Sequence, residues 1–124
     1  MYKDLSPGIK ISISRSISTA FEQYMAKINW DESKFSLQDL IDAWRTYIIA
    51  SSAWYAQIDD SLKDNKEFHE ELAAKINEVV EKLLSEKPTD GQIKALNELE
   101  RHLNKELVYS CKLEAKYLLE QHKA

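Results

Sequence analysis

The residue types that usually carry out catalysis are sparse in this chain and match no catalytic or metal-binding motif. There are three histidines, one cysteine and two glycines. Two glycines cannot form a phosphate-binding loop, and neither C-x-x-C nor H-E-x-x-H occurs. No histidine lies three residues after a glutamate, so the Glu-x-x-His motif of di-iron bundles is absent. The sequence therefore predicts a protein that is not an enzyme, and it indicates no cofactor and no metal.

The best candidates for a ligand or acid–base site are polar residues on predicted apolar helix faces. Glu114 and His69 both lie on such faces, at helix ends that would meet in an antiparallel bundle. A buried carboxylate must be paired or change its protonation. The sequence therefore predicts a buried polar cluster there, which fits either a small-ligand site or a polar contact with a purely structural role. Its members are His69, Glu114, Tyr55 and Tyr117.

A line of basic residues near the C-terminus is the candidate for binding an anionic partner. Its spacing of seven and four residues places the side chains on one outer helical face, where they could contact a nucleic-acid backbone. The sequence pI of about 5.4 argues against this function, because nucleic-acid-binding domains are usually basic. A solvated helix face explains the same pattern. The anion-binding candidates are Lys94, Arg101, Lys105, Lys112, Lys116 and Lys123.

The third candidate is a face without charge in the middle of the chain. No charged residue occurs from Thr46 to Ile58, although 31% of all residues are charged. Small and apolar side chains lie opposite the predicted core face, where an outward-facing surface would normally be charged. Either another part of the chain covers them, or they bind a partner. The partner-binding candidates are Thr46, Ile49, Ala50, Ala53, Ala56 and Gln57.

The composition predicts an all-α protein with one domain over residues 1–124. With 44% hydrophobic residues and only two Gly and two Pro, long helices are favoured over sheets. Residues 9–18 also alternate as a strand would. We favour helix there, because isoleucines at four-residue spacing continue into the following segment and a lone strand has no partner.

Capping signals place four predicted helices along the chain. Ser6 precedes Pro7 at the first start, Ser36 opens a second helix over residues 37–62, and Asp64 opens the third. Thr89 begins a T-x-x-Q capping box, from which a long C-terminal helix is predicted over residues 90–121. Short turns between amphipathic helices predict an up-and-down antiparallel four-helix bundle.

The expected function is that of a small helical interaction or regulatory module. Its predicted partner is protein, with self-association into a homodimer through the second helix. Nucleic-acid binding and a small-ligand site are the alternatives. One cysteine, no signal-peptide core and no apolar run of bilayer length predict a cytoplasmic protein that does not bind membranes.

Overall fold

A computed structural model describes residues 1–122. All regular secondary structure in these residues is helical, and turns and irregular segments connect the helices. The prediction of an all-α protein is confirmed. Short 3₁₀ helices span Tyr2–Asp4 and Glu32–Lys34. The α-helices are α1 (Pro7–Lys27), α2 (Leu37–Ser51), α3 (Ala53–Gln57), α4 (Asp60–Lys63), α5 (Lys66–Ser85), α6 (Asp90–Leu103) and α7 (Lys112–Gln121).

The chain divides into two compact units, Met1–Val80 and Glu81–Ala124, and the division lies within α5. Each unit is described by itself below. The larger unit contains most of the buried apolar side chains, including Phe21, Leu40 and Phe68. In the smaller unit, Leu96, Cys111 and Ala115 are buried. A single domain over residues 1–124 stays a prediction.

Helix α1 begins as its sequence predicts. The Ser6 side chain accepts a hydrogen bond from the Ile9 N–H at 3.2 Å, and Pro7 occupies the first helical turn. The helix continues through residues 9–18, so the helical interpretation of this segment is confirmed. Ile13 and Ile17, four residues apart, are both buried, as one apolar face of a helix requires.

The connection formed by residues 28–36 reverses the chain between α1 and α2. Asn29 and Trp30 both have φ of 55°, and the Trp30 ring packs edge-on against Phe21 at a centroid distance of 6.1 Å. The Tyr24 hydroxyl accepts a hydrogen bond from the Ser36 N–H at 3.0 Å. This bond joins the end of α1 to the start of α2, so the two helices leave the turn side by side.

A buried hydrogen-bond chain joins α1 to α2 further from the turn. Trp44 Nε1–H donates to Ser16 Oγ at 3.0 Å, and the Ser16 hydroxyl donates to the Ile13 carbonyl at 2.6 Å. The end of α1 meets the start of α2 at Tyr24 and Ser36, and the middles of the two helices meet at Ser16 and Trp44, so the two helices are antiparallel. Ser16 is the buried polar residue of this core among the residues described, and each of its hydrogen-bonding roles is used.

Helix α2 starts where predicted but ends earlier. Ser36 Oγ accepts from the Asp39 N–H at 3.3 Å, and Leu40, Trp44 and Ile48 form the buried face. The prediction of one helix over residues 37–62 is wrong, because Ser52 is extended, with φ −105° and ψ 117°. Serine competes for backbone hydrogen bonds and favours helix ends over interiors.

Two very short helices, α3 and α4, replace the second half of that predicted helix. Asp59 caps α4, because its carboxylate accepts from the Ser61 N–H at 3.0 Å. Hydrogen bonds from the Ser61 backbone and hydroxyl hold the pKa of Asp59 below its usual value. The cap therefore stabilises the fold above the unfolded-state pKa, and this contribution is lost as the pH falls through the lowered folded-state pKa.

Helix α5 begins one residue later than predicted. Asn65, and not Asp64, supplies the cap, since Asn65 Oδ1 accepts from the Phe68 N–H at 3.0 Å. The register of the following apolar residues is unaffected. Phe68, Leu72 and Ile76 are buried on one face of α5.

The predicted long C-terminal helix is also wrong. The Thr89–Gln92 capping box forms as expected and opens α6. The helix then ends at Asn104, which adopts the left-handed conformation with φ 51° and ψ 45°. Asparagine is one of the few residues other than glycine that adopts this conformation readily. The N–H of Lys112, which opens α7, donates to the Glu86 carbonyl at 2.8 Å.

Replacing Ser16 with alanine should lower the free energy of unfolding by about 1–3 kcal/mol, because it leaves the buried Trp44 N–H without an acceptor. Chemical denaturation measures this difference. Ser18→Ala is the matched control on the same helix, since the Ser18 hydroxyl bonds only to the Ser14 carbonyl of its own helix. An equal effect of the two substitutions would contradict the role assigned to Ser16.

Substitutions at Asn104 should distinguish the observed helix end from a continuous helix. Asn104→Ala should lower stability by about 1 kcal/mol, since a Cβ strains the left-handed conformation, and Asn104→Gly should not. If residue 104 lay inside a continuous helix, Asn104→Gly would instead be the less stable variant. In a helix interior, alanine is more favourable than glycine by about 1 kcal/mol. Thermal or chemical unfolding of the two variants gives the order directly.

Candidate functional site

The predicted partner-binding face is open to solvent. All six of its residues are exposed, and Ile49 is the most prominent, with 67% of its surface accessible. We call this set the uncharged face. Its residues are Thr46, Ile49, Ala50, Ala53, Ala56 and Gln57.

The uncharged face is not the side of one helix. Thr46, Ile49 and Ala50 lie on α2, whereas Ala53, Ala56 and Gln57 lie on α3 beyond the break at Ser52. The sequence predicts that these small residues share one face of a single helix, and the break at Ser52 interrupts that face. The surface consists of two short helical segments.

A cavity of about 170 Å³ lies beside these helices, within the larger unit. Residues of α2, α3 and α5 line it, and its walls are mainly apolar. Ile49 belongs both to the uncharged face and to this lining. The principal apolar residues are Ile41, Trp44, Ile48, Ile49, Trp54, Ile58, Phe68, Leu72, Ala73 and Ile76.

Two indoles in the cavity wall differ in their hydrogen bonding. The rings of Trp44 and Trp54 are stacked, with centroids 6.2 Å apart and planes inclined by 26°. Both side chains are buried, each at 4% exposure. Trp44 Nε1 donates to Ser16, but Trp54 Nε1 is buried without a hydrogen-bond acceptor. Unpaired buried donors are uncommon, because each loses its hydration without compensation.

The polar residues that line the cavity are Arg45, Lys63, His69 and Tyr55, and none of the lining residues is acidic. Lys63 Nζ lies 4.6 Å from the centroid of the Tyr55 ring and 3.2 Å from Asp60 Oδ1. His69 Nε2 donates to the Lys63 carbonyl oxygen. The lining is therefore apolar with a basic edge.

The members of the predicted polar cluster are divided between the two units. His69 and Tyr55 line the same cavity, but His69 is exposed and Tyr55 is half-buried. In the smaller unit, half-buried Glu114 accepts hydrogen bonds from the Ser110 N–H at 2.9 Å and the Ser110 hydroxyl at 3.2 Å. Tyr117 is half-buried on α7. None of the four is a buried polar residue, because the helix break moves Glu114 into the first turn of α7, where its carboxylate meets Ser110.

The predicted anion-binding residues do not form one stripe. Lys94 and Arg101 lie on α6, Lys105 follows the helix end, and Lys112 and Lys116 lie on α7. All five are exposed, and Lys116 Nζ lies 4.0 Å from Glu120 Oε1. Lys123 lies outside the described residues. Nucleic-acid binding through these residues stays a prediction, and the helical periodicity behind it is broken.

Within residues 1–122, no His, Cys, Asp and Glu side chains are grouped as metal ligands, and no helix has the length and apolar character needed to cross a bilayer. No family model, curated protein or solved structure matches this chain. Function must therefore be inferred from the geometry of the chain itself.

Sequence reasoning missed the cavity, and with it the role of Trp54. The signal available was the uncharged stretch of residues 46–58, which contains Trp54 and Tyr55. That stretch predicts burial or a docking surface equally well, and it does not indicate which indole lacks a partner. Beyond the helix end at Ser51, Trp54 lies on α3, is buried and stacks on Trp44.

Two identical substitutions should show the difference between the stacked indoles. Trp44→Phe should lower the free energy of unfolding by about 1 kcal/mol more than Trp54→Phe, because only the first removes a satisfied hydrogen bond. Both changes truncate a ring of equal burial, so the comparison cancels most of the packing loss. Chemical denaturation provides the measurement, and a larger loss for Trp54→Phe would contradict the assignment.

Proposed function

We propose that this protein is a non-enzymatic helical interaction module that associates with a second copy of itself through the uncharged face. The carrying observation is the exposure of Ile49 next to small uncharged side chains, with Arg45 one helical turn before it as a charged neighbour. Burial of an aliphatic side chain of this size is favourable by about 1.5–3 kcal/mol. Withdrawal of this surface from water would supply the driving force for association.

The chemistry of the surface favours a second copy as its partner. The chain has a formal net charge of −4, so two copies repel one another at most orientations. The uncharged face brings no charged side chain of its own to the contact. In a two-fold dimer the same surface meets itself, and the small side chains of Ala50, Ala53 and Ala56 leave room for a second copy to approach the ends of α2 and α3 closely.

Two further features belong to this proposal. The antiparallel pairing of α1 and α2 supports an up-and-down bundle as the underlying fold. The single cysteine, Cys111, is a buried free thiol, which supports function in a reducing compartment such as the cytoplasm. In such a compartment the protein would act by binding its partner, without a cofactor.

The mass of the protein in solution tests self-association. Wild-type protein should sediment as a dimer, and Ala53→Glu should sediment as a monomer, because a carboxylate would be buried at the contact. Ala53 is the first residue of α3, where an acidic side chain is compatible with the helix. Ala74→Glu on α5 is the matched control, since Ala74 is exposed and lies outside the uncharged face.

The results are decisive when both variants stay folded by circular dichroism. A monomeric wild type, or an Ala53→Glu variant that dimerises as well as Ala74→Glu does, would reject the proposal. A salt titration adds a second criterion. Apolar association should change little between low and moderate salt, whereas contacts between charged surfaces weaken.

A further inference from the structure

We propose that the cavity bounded by α2, α3 and α5 is a binding site for a small organic carboxylate with an apolar ring. Every residue that lines the cavity belongs to one chain, so the site does not require self-association, although Ile49 belongs both to the lining and to the uncharged face. Three properties of the cavity carry the proposal. They are its volume, the unpaired donor in its wall and the sign of its charged residues.

The volume sets the size of the ligand. The cavity measures about 170 Å³ and is lined mainly by aliphatic and aromatic side chains. An apolar cavity of roughly 150 Å³ is large enough to hold benzene. A single six-membered ring with one small substituent therefore matches the space, whereas a long acyl chain or a nucleotide exceeds it.

The Trp54 indole N–H specifies a hydrogen-bond acceptor on the ligand. Trp54 is 4% exposed and lines the cavity, and its Nε1 has neither an acceptor nor appreciable accessible surface, so a ligand oxygen reaches it only when the surrounding side chains of the wall shift. A hydrocarbon ligand would leave this donor unpaired. A ligand oxygen that reached it would restore the hydrogen bond that Trp54 loses on folding, and hydrogen bonds to charged acceptors are the stronger ones.

The charged residues of the lining specify the sign of the ligand. Arg45 and Lys63 line the cavity together with His69, and no Asp or Glu lines it. The nearby Asp60 pairs with Lys63 at 3.2 Å from outside the lining, where its side chain is 94% exposed. An anionic group is therefore favoured over a cationic one, with exposed Arg45 as the basic residue that has no ion pair among the described contacts. An aromatic or cycloaliphatic carboxylate satisfies all three properties.

Three substituted benzenes separate the contributions of the ring, the hydrogen-bond acceptor and the charge. Benzoate carries ring, acceptor and charge, benzamide carries ring and acceptor, and toluene carries the ring alone. The readout is the Nε1–H cross-peak of each tryptophan in ¹H–¹⁵N NMR spectra, assigned by Trp→Phe substitution. Benzoate should bind at millimolar or lower concentration, should shift the Trp54 peak most, and should leave Trp30 unchanged, since Trp30 does not line the cavity.

Variants test the residues that carry the site. Trp54→Phe removes the donor and keeps an aromatic wall, so it should weaken benzoate binding by about tenfold and should leave toluene unaffected. Arg45→Gln should weaken benzoate more than benzamide, and Lys66→Gln, outside the lining, should affect neither. Ala73→Phe fills the cavity and should abolish binding, whereas Ala74→Phe on the exposed side of the same helix should not.

Several outcomes would overturn the proposal. They are no shift of the Trp54 peak with benzoate at millimolar concentration, equal affinity for benzoate and toluene, or unchanged benzoate affinity in Trp54→Phe. The last comparison does not depend on Ala73→Phe remaining folded. A protein that is monomeric in solution would reject self-association and would leave this test unchanged.

Discussion

The larger unit depends on the hydrogen bond from the buried Trp44 indole to Ser16, which fixes how α1 and α2 face one another. A slip of α2 by one turn along α1 would leave the indole N–H, the serine hydroxyl or both without partners in an apolar core. The penalty for such an orphan exceeds the gain from a typical surface contact. The polar contact therefore sets the register of the pair, and apolar packing around Phe21 and Leu40 supplies the stability.

Local signals in the sequence predict the helix starts well. Ser6, Ser36 and Thr89 cap helices as their side chains predict, because a capping bond involves residues only three apart. The helix ends at Ser51 and Leu103 are different. Neither is marked by glycine or proline, and whether Ser52 or Asn104 leaves the helix depends on what the following segment gains by packing elsewhere. The six-residue step from Leu107 to Leu113 is a local sign of the second break.

The helix ends at Ser51 and Leu103 determine how the predicted sites differ from those in the structure. Exposure of Ile49 follows from periodicity within α2 alone, which places it away from the centre of the buried face formed by Leu40, Trp44 and Ile48. The polar cluster required helices to continue through residues 52 and 104, so Glu114 moves to a helix start and meets Ser110 instead. Hydrogen bonding of one buried indole and not the other is a tertiary property, since it depends on the position of Ser16 on a different helix.

Helices α3 and α4 have five and four residues, well below the length at which a helix is stable alone in water. They contribute Trp54, Tyr55 and Lys63 to the cavity wall, so their order depends on contacts with the core. This wall can open by local unfolding at a lower free energy than the rest of the larger unit. An occupant of the cavity that pairs with Trp54 would stabilise this wall and would therefore slow amide exchange in residues 53–63.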